Sequence, residues 1–221
     1  MEFRELAKGR SIQCPSIDHD ELSVTSAGFK GEFDLKYAFV DTGEQAGVTG
    51  EGYVTHSVVR RVDLSGSCLG PVTLTDTTLE DVDLSNASVG LVIARRVEML
   101  RCRAIGLRLS IELANDLYVE GCQLDFASIN IEKVKGIAAF NGCSFRETAI
   151  SGCLSDVVFR DCDFADTEFE AANAKGCDLQ TSRLAGVRGL LSLRGALITA
   201  EQAVSVAPRL AAEVGLVVLK G

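Results

Sequence analysis

SVVRRVDLSGSCLGPVTLTD (residues 57–76), TTLEDVDLSNASVGLVIARR (77–96) and VEMLRCRAIGLRLSIELAND (97–116) are consecutive rows of one repeating text, and their alignment decides the fold. The rows start at Ser57, Thr77 and Val97 and continue at Leu117, Ile137, Val157 and Cys177. Two places further on stand Val59, Leu79, Met99, Val119, Ala139, Phe159 and Leu179. Inside each row the step repeats every five residues, as in Val62-Asp-Leu64, Val82-Asp-Leu84 and Cys162-Asp-Phe164. Self-similarity at a fixed period marks a solenoid and outranks residue-by-residue propensity. A five-residue apolar period fits neither a helix nor a strand. It fits a coil that turns a corner every five residues, with the first and third residues of each pentad pointing inward. Four pentads close one square turn, and successive turns stack like over like at β spacing, about 4.8 Å.

Val82-Asp-Leu-Ser-Asn86 and Cys162-Asp-Phe-Ala-Asp166 resemble the A-(D/N)-L-x-x consensus of the pentapeptide-repeat family, and the resemblance extends over roughly residues 17–196. It implies an all-β protein, a right-handed quadrilateral β-helix with a short C-terminal helical cap. The sequence divides accordingly into an N-terminal lead-in or cap (1–16), the β-helix (17–198, with an irregular loop at 42–52) and a C-terminal helix and tail (199–221). The loop is expected from Gly43, Gly47, Gly50 and Gly52, with Glu44 in a nominally inward slot. Two further irregularities are expected. Glu112 and Glu132 fall on inward positions, where buried carboxylates are costly, so that corner should slip and turn Ile111/Leu113 and Ile131 inward. One residue is added near Gly142 and compensated by Asp156.

After Ala196 the period changes. Thr199-Ala-Glu-Gln202 reads as a capping box, and Ala203, Val204, Ala207, Leu210, Ala211 and Val214 follow at helical spacing. Pro208 should kink that helix, and Gly215 suits its end. The apolar residues Leu210, Val214, Leu216, Val217, Val218 and Leu219 are the candidate cap or dimer surface.

Composition narrows the function. Of 221 residues 47% are apolar, only 6% are aromatic and Trp is absent, as a narrow core of small residues, Leu and Phe requires. The N-terminus is charged and carries no apolar leader, and no segment approaches membrane-spanning length, so a cytoplasmic location is expected. The eight cysteines contain no C-x-x-C pair. Cys102, Cys122, Cys143 and Cys162 follow the coil period, which makes them small buried core residues and not a metal or disulfide set. Two histidines, His19 and His56, offer no metal-ligand spacing, and no nucleophile, base and orienter can be named together. No enzyme activity, cofactor or metal is expected.

What remains is the outer surface. The formal charge of −9 argues against direct binding of nucleic acid. The excess acid lies on the first face of the square, and the candidate partner-contacting residues are Asp18, Asp20, Glu21, Asp41, Glu80, Asp81, Glu120, Asp161 and Asp178. Along the axis an acidic band (Asp76, Glu80, Asp81, Asp83) precedes a basic one (Arg95, Arg96, Arg101, Arg103, Arg108). The Qnr and MfpA types of the family are gyrase-interacting proteins taken to imitate duplex DNA, and Ser192-Leu-Arg-Gly-Ala-Leu-Ile198 resembles their ending. That resemblance implies a homodimer joined through the C-terminal end, with DNA gyrase or another topoisomerase as partner and resistance to its inhibitors as outcome. The alternative is a structural or adaptor solenoid with an unrelated protein partner. Duplex DNA as long as nine coils, roughly 38 Å, carries about 22 charges, so mimicry has to rest on one face or one end.

Overall fold

Pentads stacked in register give long parallel strands that bend at each corner. In the computed structural model, which describes residues 2–6, 9–26 and 28–218, β6 (Thr49–Asp63), β7 (Cys68–Glu80), β8 (Ser88–Leu100) and β9 (Arg108–Glu120) are such strands. Thr77 lies over Ser57, Val97 over Thr77 and Leu117 over Val97. Bridges continue the column from Asp63 through Asp83, Arg103, Gln123, Ser144 and Asp163 to Arg183. The residues one place on, Leu64, Leu84, Ala104, Leu124, Phe145, Phe164 and Leu184, form one inward column and are all buried. The result is a right-handed quadrilateral β-helix. Among the described residues, no helix is long and apolar enough to cross a membrane.

The two inward slots of a pentad differ in chemistry. The third position fills the core, with aliphatic side chains in the central coils and a stack of Phe140, Phe145, Phe159, Phe164 and Phe169 towards the C-terminus. Phe145 and Phe164 stack at 5.1 Å between centroids, and so do Phe140 and Phe159. Where the first position is Ser, Thr or Cys, it carries a donor aimed at the preceding coil. Thr77 Oγ1 donates to the Val54 carbonyl at 2.9 Å, and the Cys102 and Cys122 thiols to those of Leu79 and Met99 at 3.6 Å. The cysteine column therefore does what Ser and Thr do in the same slot elsewhere. Burial pushes the neighbouring Cys177 thiol up to about 12, so it stays protonated.

The expected slip at Glu112 and Glu132 is present. Ile111 and Ile131 are buried in their place, but the second inward residue of the slipped corner is Ala114, while Leu113 pairs with Ile93. The added residue lies earlier than Gly142. Asn115 pairs with Lys135, whereas Leu117 pairs with Ala138, so the extra residue enters at 136–137. Ala138 then pairs with Val157, which restores the register. Consequently Ala138 and Phe140 face inward in that coil, and Ala139 faces outward.

Residues 42–52 form no loop. β5 (Ala38–Glu44) runs to a tight turn and β6 begins at Thr49. The glycines serve close approach: a Cβ at Gly50 would lie 2.1 Å from the Phe29 carbonyl oxygen, and one at Gly52 1.9 Å from that of Phe33. The first turn is short, because Ser23 of β3 (Ser23–Val24) pairs with Ala38, only fifteen residues on.

Residues 1–16 are not a cap on the end of the coil. β1 (Phe3–Glu5) and β2 (Ser11–Gln13) make an antiparallel hairpin that lies along the side of the solenoid. Leu6 and Ile12 pack there on Tyr118, Ala139 and Val158, a cluster separate from the main core. The cap is at the other end, where α1 (Ala200–Glu213) runs as one helix through Pro208. Its capping box is formed, with Gln202 N donating to Thr199 Oγ1 at 3.1 Å and Thr199 N to Gln202 Oε1 at 2.8 Å. Gly215, at φ +84°, closes a Schellman turn through Gly215 N to Ala212 O and Leu216 N to Ala211 O.

Candidate partner-binding surface

Stacking at twenty-residue intervals sets which charges meet. Six ion pairs join an acid to the arginine directly one coil later. They are Asp41–Arg61 (2.6 Å), Asp76–Arg96 (2.6 Å), Asp81–Arg101 (3.1 Å), Asp83–Arg103 (3.8 Å), Asp163–Arg183 (3.0 Å) and Glu168–Arg188 (3.3 Å). The basic band is thus the counter-charge of the acidic band beneath it. Such pairs on an exposed surface stabilise little, but they remove most of the field a partner would feel.

The nine candidate acids fall into three groups. Asp41 is held by Arg60 and Arg61, whose guanidinium hydrogen bonds lower its carboxyl to about 2. Glu80 and Asp81 both meet Arg101, and Glu120 accepts the Tyr118 hydroxyl at 2.7 Å. Asp178 is buried beneath the hairpin, where Arg10 reaches it at 2.9 Å. The remaining four are open to solvent: Asp18, Asp20 and Glu21 around a 3-10 turn at the N-terminal end, and Asp161 near the other end. No ion pair of Asp161 occurs among the described residues. The first face is therefore open acid at Asp18, Asp20, Glu21 and Asp161, and neutralised or covered at Asp41, Glu80, Asp81, Glu120 and Asp178.

The hairpin is the part sequence reasoning missed. Arg4 lies 3.8 Å over the Tyr118 ring and pairs with Glu98 at 3.1 Å. Ser16 N donates to Asp76 Oδ1 at 2.9 Å, and His56 Nδ1 is 2.9 Å from the Ser16 carbonyl. Burial raises the Glu98 carboxyl, with Arg4 opposing, and it raises the Tyr118 hydroxyl to about 12. A signal existed: Tyr118 and Val158 occupy an outward slot that is polar in Thr78, Glu98 and Asp178.

At the C-terminal end the helix docks by a polar stripe. The Gln202 amide caps the Leu179 and Ser182 carbonyls at 2.7 Å, and Val206 is buried. The Glu213 carboxylate accepts Gly189 N at 2.7 Å and Leu190 N at 3.1 Å. The apolar stripe is turned away from the coil: Val204, Leu210 and Val214 are exposed, as are Leu216, Val217 and Val218. Leu219 lies outside the described residues.

Among the described residues no group of three or more His, Cys, Asp and Glu is arranged to hold a metal ion. Residues 153–188 match the family model of pentapeptide repeats, in eight copies. No curated protein matches the chain. Among solved structures, trypsin-treated QnrB1, a plasmid-mediated fluoroquinolone resistance protein, is similar at 18% identity, covering 89% of this chain and 99% of that one with a TM-score of 0.48. Full-length QnrB1 is 20% identical over 81% of this chain and 99% of that one, TM-score 0.31. HetL, a pentapeptide-repeat protein of the cyanobacterium Nostoc involved in the regulation of heterocyst differentiation, is 12% identical over 76% and 87%, TM-score 0.29.

Proposed function

From the pentapeptide repeats matched over residues 153–188, we propose that this is a pentapeptide-repeat protein that acts by binding a protein partner and performs no catalysis. The observation that carries this reading is the surface itself: carboxylates fixed at coil spacing on a rod, with solvent-exposed acid at both ends of one face. The partner that suits it is a protein built to hold duplex DNA, of the gyrase or topoisomerase type. There the carboxylates stand where phosphates would, and the outcome is inhibition of the enzyme or protection from drugs that poison it. The location that goes with this is the cytoplasm. The contact rests on Asp161 at one end and Asp18, Asp20 and Glu21 at the other, since Glu80 and Asp81 already serve Arg101.

A supercoiling assay with and without a gyrase poison, titrated with the protein, tests this. Asp20→Lys, Glu21→Lys and Asp161→Lys together should abolish the effect while leaving circular dichroism and melting unchanged, because all three side chains are exposed. Added salt should weaken the effect in the wild type. No inhibition, no protection and no capture of either gyrase subunit at low salt would leave the adaptor reading. The neutralising arginine ladder is the observation that favours that second reading.

The exposed helix stripe supports a homodimer joined about a two-fold axis, the commonest closed arrangement. Leu210→Glu with Val214→Glu should halve the mass found by light scattering at tens of micromolar. A wild type already monomeric there would reduce the helix to a cap.

A further inference from the structure

The N-terminal hairpin brings two arginines onto the acidic face. Arg4 meets Glu98 and lies on the Tyr118 ring, and Arg10 meets Asp178, while Leu6 and Ile12 fill the apolar seat between. Basic and apolar side chains in this order are what an extended segment of a basic protein would offer the same face. The hairpin is also an imperfect fit. Arg4 Nη1 and Arg160 Nε are buried without a hydrogen-bond partner, which costs free energy. A cavity of about 50 Å³ remains at this seam, lined by Arg4, Leu6, Tyr118, Ala139 and Arg160 among others.

We propose that residues 2–16 are a resident competitor: they occupy in cis the seat on the first face that an extended basic and apolar segment of the partner takes in trans. The inference rests on the reading of the first face as the partner's contact and adds how that contact is regulated. Release of the hairpin takes Arg4 from Glu98 and Arg10 from Asp178 and uncovers Tyr118 and Val158, adding an acidic and apolar patch beside the open Asp161. A partner must therefore displace the hairpin, and its apparent affinity is lowered by the fraction of molecules in which the hairpin is seated.

The experiment uses the full chain and a fluorescent oligo-arginine peptide as probe at low salt. Arg4→Ala with Arg10→Ala should release the hairpin, seen as faster hydrogen exchange across residues 2–16, and tighten peptide binding about tenfold if the hairpin is seated nine-tenths of the time. Ile12→Asp should do the same from the apolar side without touching the arginines. The gain should vanish when Glu98→Gln and Asp178→Asn are added. A released hairpin with unchanged affinity overturns the proposal, and so does a hairpin that neither variant releases. The peptide arm is independent of the choice of enzyme. Tightening without any effect on supercoiling would sink the gyrase reading alone, and supercoiling inhibition indifferent to release would sink the competitor alone.

Discussion

Phe164→Ala lowers the free energy of unfolding by about 3–5 kcal/mol, the range for removing a buried aromatic ring from a close-packed core. Phe164 has no exposed surface and sits 5.1 Å from Phe145, 5.2 Å from Phe159 and 5.3 Å from Phe169 between ring centroids. Its neighbours cannot collapse into the gap, because each is held by its own coil at a fixed height. Phe126→Ala is the control, as that ring is exposed at a corner, and it should change stability by no more than about 0.5 kcal/mol. Urea melts of both read the difference. Equal losses would mean that the phenylalanine stack is not the core.

Gly189→Ala should cost at least about 1–3 kcal/mol, the usual strain of a residue forced into a sparsely populated conformation. Gly189 has φ +74°, and an added Cβ would lie 1.9 Å from the Phe169 carbonyl oxygen. That contact is with main chain, so the last coil has to move, and with it the seat of Glu213 on Gly189 N and Leu190 N. Gly142→Ala, at φ +61° with nothing within 4 Å, isolates the conformational part. It should cost about 1–2 kcal/mol. If the two variants melt alike, the close approach carries no energy.

The square coil was legible because a solenoid writes its stacking direction into the sequence. Leu64, Leu84 and Leu124 share a column since each is the third residue of a pentad, and no long-range pairing had to be guessed. The slip at Glu112 was legible for a similar reason, because a carboxylate in an inward slot beside an isoleucine leaves one physical solution. The glycines of 43–52 misled, since their purpose is contact with the coil beneath, which the local sequence does not display. The hairpin's own strands were illegible, being three residues each and too short for any period, and only its seat at Tyr118 and Val158 left a mark. The charges misled in another way. A net charge summed by face does not say which charges meet, and the partner of Asp81 is Arg101, in the next row down the page. Reading columns as well as rows would have paired them.

The hairpin also bears on how the chain is made. Arg10 leaves the ribosome well before Asp178, which it grips and which is synthesised 168 positions later. At about 5–20 residues per second that interval is roughly 10–30 s. Throughout it Leu6 and Ile12 have no finished seat, while the coils wind one upon another from contacts between neighbours only. Closure of the hairpin is then the step that ties the first residues to the last full coil. The nascent molecule passes from an open spring, able to fray at its growing end, to one whose coil of residues 177–196 is clasped by Arg10.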